Sequence, residues 1–225
     1  MPLAVELLDN VIWNALNSAH AHLSQGDDLA RRYNPEFTSL AGLLEPNDAA
    51  FESLLQVLNG AKIGVFLPAQ HVLPDSVQLY GCAPVAQMVC ENLIPCKPCS
   101  FAELTTADVP QMAALAELTK PGPFASRTIE FGNFIGIKDG DRLVAMAGQR
   151  MKLDKMHEVS GVCTHPDYQG RGYARALVYE VAQRIFSSGD TPFLHVRAEN
   201  AAGIRSYEAI GFRIRHVFTY GIVGA

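Results

Sequence analysis

Apolar residues at Leu8, Val11, Ile12, Ala15, Leu16, Ala19 and Leu23 recur at helical spacing and predict a helix over residues 7–24, stopped near Gly26. Residues 33–44 read as irregular or extended. Asn47 and Asp48 are good caps for a second helix that runs to Leu58, before Asn59-Gly60. Residues 62–67 form a continuous apolar run that ends at Pro68 and predict a buried strand; 77–80 and 86–91 predict two shorter ones. Residues 94–99 carry two prolines and no periodicity, and read as a linker. Beyond it the pattern sharpens. Strands are predicted at 101–104, 133–137, 143–151, 158–164, 193–197 and 212–220. Helices are predicted at 109–117, 172–187 and 201–210. Asp139-Gly140-Asp141-Arg142 supplies a hairpin turn.

This order predicts a mixed α/β fold in two parts: a smaller α/β domain over residues 1–94, and a second domain over 95–225 that runs hairpin, strand, helix, strand, helix, strand. The length of 225 residues allows one large domain or two small ones, and 48% hydrophobic residues suffice for a core without metal or disulfide staples. A net charge of −5 provides no global basic field for a nucleic-acid backbone, so no nucleic-acid partner is expected. No apolar run approaches the ~20 residues of a membrane span, and the start from Met1 to Glu6 has no basic segment of a leader. Five cysteines, an odd number, fit reduced thiols in a cytoplasmic protein. Cys96-x-x-Cys99 lacks further ligands at zinc spacing, and no metal is expected.

One segment carries candidate chemistry: Val162-Cys163-Thr164, a short turn, then Gly170-Arg171-Gly172-Tyr173-Ala174-Arg175 opening a helix. Glycines remove side chains where a ligand comes close, and a helix N-terminus offers unpaired N–H groups and a positive dipole end. Together they suit a phosphate or pyrophosphate. A plain strand-to-helix turn with glycines for tight packing is the other reading. The pattern is neither a dinucleotide fingerprint nor a P-loop.

Farther on, Asn200 is followed by Tyr207 and by Gly211-Phe212. A Gln-x-x-Gly-x-Ala helix start followed by Asn, Tyr and Gly-Phe at these spacings resembles the GNAT superfamily of acyl-CoA-dependent N-acetyltransferases, over about residues 101–220. The resemblance implies a sheet whose two parallel strands splay at a β-bulge, for which Gly161 is a suitable residue. It implies acetyl-CoA as co-substrate, with Val162, Cys163 and Thr164 presenting backbone to the pantetheine arm. Gly170, Arg171, Gly172, Tyr173, Ala174 and Arg175 would cradle the pyrophosphate, and Asn200 would bond the arm. Tyr207 sits where the family often has a tyrosine that protonates the departing thiolate; packing beside Phe212 is its structural alternative. The first domain resembles a degenerate copy of the same fold, as in glycine-acyltransferase-like members.

Two residues compete as general base. His195 lies where related enzymes carry a glutamate, and an unperturbed imidazole suits the task at neutral pH. Glu158 begins the other splayed strand. Residues 119–127 are expected to line the acceptor pocket, with Arg127 placed to hold a carboxylate. The function expected is transfer of acetyl from acetyl-CoA to a primary amine, a small molecule or amino acid, within a ternary complex. The alternatives are acetylation of a protein N-terminus or lysine, and CoA binding without turnover. A monomer or homodimer, with no membrane partner, completes the expectation.

Overall fold

Two 13-residue strands run antiparallel down the middle of the sheet, one from each half of the chain. The computed structural model describes residues 3–225, with side chains from Val5 onward; Met1 and Pro2 of the start examined for a leader lie outside the described residues. The elements are α1 (Leu3–Glu6), α2 (Val11–Leu16), β1 (Ser24–Gly26), β2 (Ala30–Tyr33), β3 (Leu40–Leu43), α3 (Asp48–Leu58), β4 (Ile63–Leu67) and β5 (Gln78–Cys90). There follow β6 (Ala102–Glu103), α4 (Val109–Thr119), β7 (Ile135–Asp139), β8 (Arg142–Leu153), β9 (Met156–Thr164), α5 (Tyr173–Ser187), β10 (Thr191–Arg197), α6 (Ala201–Glu208) and β11 (Phe212–Gly224). All eleven strands form one sheet in the order β1-β2-β3-β4-β11-β5-β10-β9-β8-β7-β6.

The order shows an exchange. β3 and β4 are parallel and joined through α3, as β9 and β10 are parallel and joined through α5. Yet β4 pairs with β11, the last strand of the other half, and β10 pairs with β5, the last strand of the first half. The sheet therefore runs straight through the 94/95 division. The turn before α3 carries Glu45-Pro46-Asn47-Asp48, and the Asn47 side chain accepts from Ala50 N at 3.0 Å. Two carboxylates and a closed cap stand there, where the turn before α5 carries glycines and arginines.

Residues alternate between the faces of β10. Leu194 and Val196 pack with α5; Phe193 packs with Leu8, Val11 and Ile12 of the N-terminal segment. The two faces of β10 are thus covered by different halves of the chain.

Two elements differ from their sequence pattern. The helix expected over 7–24 breaks into a 3-10 turn, the short α2 and a second 3-10 turn. Asn14 Nδ2 donates to Leu7 O and Asn17 Nδ2 to Trp13 O, so amide side chains compete for backbone groups that a longer helix needs. The two strands expected at 77–80 and 86–91 are one continuous strand, β5. Pro84 interrupts the sequence signal, but it stands one residue beyond the end of the β10 ladder, where a missing N–H costs no strand bond on that side.

Candidate active site

The parallel pairing of β9 and β10 runs from Thr191↔Met156 to Leu194↔Val159 and stops, although both strands continue. Between the pairs Met146↔Cys163 and Gly148↔Ser160, β9 advances three residues while β8 advances two. That extra residue is a bulge, and Gly161 within it has φ +63°. A Cβ there would lie 2.8 Å from the Phe134 ring. The bulge turns β9 away from β10 and opens the splay.

The strand leaving the splay leads to the N-terminus of α5. Gly170 and Gly172 have φ +76° and +82°, a region L side chains rarely adopt. A Cβ at Gly170 would meet nothing within 4 Å, and one at Gly172 only Arg175 Nη2 at 3.9 Å. Tight packing is therefore not why these residues are glycine; the turn demands the backbone angle and leaves open space over the helix end. Ala176 N is the first N–H of α5 to find a carbonyl, at Gly172 O, so the preceding ones point outward into that space. Arg171 lies over the Tyr168 ring, whose hydroxyl donates to Asp139. In the strand before the turn, Thr164 Oγ1 is buried with no partner among the described residues. An open cradle, two arginines and an orphaned hydroxyl beside a splayed strand fit a long phosphorylated ligand such as acetyl-CoA.

Tyr207 is buried against Phe212, ring centroids 6.4 Å apart, and its hydroxyl makes no hydrogen bond among the described residues. Burial pushes the phenol up to about 12, with the Cys163 thiol adding to the effect. The phenol keeps its proton at neutral pH. Asn200 differs from expectation: its Oδ1 caps α6 by accepting from Gly203 N at 2.9 Å, so only its Nδ2 is left for a ligand.

The two candidate bases meet in one buried network. His195 Nδ1 lies 2.8 Å from Glu158 Oε1. Arg150 grips the same carboxylate with Nε and Nη2, each at 2.8 Å, and Met151 N adds a contact at 3.3 Å. On the far side, Gln87 Nε2 donates to Leu8 O and lies 3.1 Å from His195 Nε2, while its Oε1 accepts from Arg215. Because the Gln87 oxygen is taken, its amide group must donate to Nε2. The imidazole proton then sits on Nδ1 and points at Glu158. Arg215 in turn holds Asp9 of the N-terminal segment. Burial alone would raise the Glu158 carboxyl, but the Arg150 charge and hydrogen bonds from Arg150 and His195 hold it well below the usual range. Both oxygens of Glu158 and both ring nitrogens of His195 are thus engaged by hydrogen bonds.

Beside the bulge lies a narrow crevice of about 10 Å³, space for about one water, with Pro121, Phe124, Thr128, Phe134, Arg150 and Ser160 among its lining residues. The expected wall, residues 119–127, is partly there. Arg127 is not in the lining. Its guanidinium is bound by Glu130 on two nitrogens and by Glu36, and lies over Phe37, so it is already neutralised. Arg150 and Gln87 escaped the sequence reading. The signal available was polar residues inside two apolar strands, Gln149-Arg150 within Met146–Met151 and Gln87 within Val85–Val89.

His20 and His157 are both buried, and burial, with neighbouring cationic groups, lowers both to about 4. An unfolded chain protonates them near 6.5, so their contribution is complete above that pH and is lost as pH falls toward 4. Urea melts are expected to lose up to ~1.4 kcal/mol of stability per pH unit per histidine across that window.

The fold and this geometry can be set beside known proteins. A family model for FR47-like protein matches residues 134–220. A ribosomal protein bS18-alanine N-acetyltransferase from Salmonella typhimurium is 32% identical over 116 residues, covering 48% of this chain and 77% of the relative. N-alpha-acetyltransferase RimI from Mycobacterium tuberculosis is 32% identical over 129 residues, covering 52% and 80%. A crystal structure of a putative GNAT-family acetyltransferase from Novosphingobium aromaticivorans superposes with a TM-score of 0.89 at 37% identity, over 96% of this chain and 97% of that one. The chain belongs to the GNAT family of N-acetyltransferases. As a GNAT enzyme it uses acetyl-CoA as acetyl donor. The curated relatives match about half of this acetyltransferase, whereas the structural relative matches nearly all of it, including the strand exchange region.

Proposed function

We propose that this acetyltransferase moves the acetyl group of acetyl-CoA to an α-amino group, with the N-terminus of a protein or peptide as acceptor. The observation that carries the reading is the absence of a free base beside the cleft: both Glu158 and His195 are saturated by hydrogen bonds. An acceptor must then arrive as free amine. An α-amino group, with pKa near 8, supplies roughly a tenth of itself as free amine at pH 7; a lysine, near 10.4, supplies far less. Relatives named for acetylation of an alanine on a ribosomal protein, and for N-alpha-acetylation, support the same reading.

In this proposal Gly170, Arg171, Gly172, Tyr173, Ala174 and Arg175 hold the pyrophosphate by backbone N–H groups and charge. Val162, Cys163 and Thr164 present the β9 edge to the pantetheine arm, with Thr164 Oγ1 and Asn200 Nδ2 as polar contacts. A backbone N–H at Val162 or Cys163 stabilises the oxyanion. The amine nitrogen bonds to the thioester carbon, the C–S bond breaks, and Tyr207 gives its phenolic proton to the sulfur. The surplus amine proton leaves through water at the cleft mouth and restores the phenol. Glu158 and His195 act as positioning residues that fix Arg150, and residues 1–94 act as a wall rather than a second donor site.

Tyr207→Phe is expected to lower kcat by about 10²-fold or more while acetyl-CoA affinity by calorimetry stays within about twofold. Equal turnover would remove its acid role. kcat/KM is expected to rise with pH and level off near the acceptor's own pKa of about 8. His195→Ala should lower the plateau without moving that inflection; an inflection that moves would restore His195 as base.

A small amine or free amino acid is the second reading. The narrow cleft favours it, and so does the two-half architecture that resembles glycine-acyltransferase-like members.

A further inference from the structure

Resting on the α-amine reading, we infer that Arg150 reads the carbonyl oxygen next to the acceptor amine, and so selects acceptors whose α-carbon bears a neutral carbonyl. Arg150 lines the acceptor cleft beside the Gly161 bulge, and its side chain is 9% exposed. Nε and Nη2 are committed to Glu158; Nη1 has no partner among the described residues. Nη1 is not among the fully buried unpartnered atoms, so it is open to the crevice and available as a hydrogen-bond donor of fixed direction.

Charge decides what it takes. Arg150 is already neutralised by a bidentate carboxylate that is itself buried. A carboxylate in the cleft would make the second negative charge on one cation, with no further cation in the lining. A neutral carbonyl oxygen satisfies Nη1 and leaves the balance at zero. In an N-terminal residue that oxygen is three bonds from the amine nitrogen, so one donor at the cleft floor orients the amine toward the splay. An alkylamine has no such handle, and a free amino acid brings the disfavoured charge. The network behind Arg150 sets its position: Glu158 is held by His195, His195 by Gln87, and Gln87 by Leu8 O from the other half of the chain.

The test is calorimetry on the full chain saturated with CoA, titrated with alaninamide, free alanine or isopropylamine. Alaninamide is expected to bind roughly tenfold or more tightly than either of the others. Arg150→Met combined with Glu158→Gln leaves no unpaired buried charge. In that variant the preference should vanish while CoA affinity is kept. Equal binding of the three amines to the wild type would overturn the inference, and so would a preference that survives in the folded double variant. Turnover is read separately: if alaninamide binds preferentially yet no amine releases thiol from acetyl-CoA, the α-amine reading fails while the role of Arg150 stands.

Discussion

Replacing Gly172 with glutamate is expected to reduce acetyl-CoA affinity by roughly a hundredfold or more. Two effects combine. The backbone at Gly172 has φ +82°, and a non-glycine residue there costs about 1–2 kcal/mol. The new side chain also enters the open space over the α5 N-terminus, where its charge opposes a phosphate. Gly172→Ala separates the two. It adds the backbone strain alone, meets only Arg175 at 3.9 Å, and should cost about tenfold. Calorimetry with acetyl-CoA, with circular dichroism to confirm folding, measures both. If the glutamate variant binds as tightly as the wild type, the pyrophosphate does not sit on this turn.

The second large effect is on stability. Glu158→Ala is expected to destabilise by about 3–5 kcal/mol, because it leaves Arg150 buried with no counter-charge and removes the partner of His195. For a chain of this size that is about 10 °C in Tm. Glu158→Gln keeps the shape and one acceptor oxygen for Arg150, and should cost less than the alanine. The pH sense is fixed by the direction of the shift. Glu158 is held well below its unfolded value of 4.5, so its contribution is complete above that pH and is lost as the pH falls from there toward the folded-state value. The gap between wild type and Glu158→Ala in urea melts should therefore stay level from pH 7 to about pH 5 and narrow only below it. A gap that is small at pH 7 would mean the pair adds nothing net to the fold.

The parts of this enzyme that were legible in the sequence are those set by local spacing. The α5 start and its glycines were readable because a left-handed turn before a helix leaves a residue signature. So was the bulge at Gly161, a glycine inside a strand. The strand exchange was not readable. Nothing in the period-2 pattern of residues 78–90 says that β5 joins β10 and β11 instead of β4. The buried network was hidden for the same reason. Its members come from residues 8–9, 87, 150, 158, 195 and 215, and only the long-range pairing brings them together. Sequence position made His195 look like a base, because its strand slot is one that related enzymes use. The fold fills both of its ring nitrogens, one through a glutamine that the exchange delivers.

The central claim is acetyl transfer from acetyl-CoA to an α-amine in this splay. Its most direct measurement is thiol release from acetyl-CoA in the presence of a short peptide with a free N-terminal alanine, followed by mass spectrometry of the peptide. Thiol release is expected to be matched by acetylation at the α-amine, and both are expected to be lost in Tyr207→Phe. Folded protein that binds acetyl-CoA but leaves the peptide N-terminus unmodified, or acetylates only an internal lysine, would contradict it.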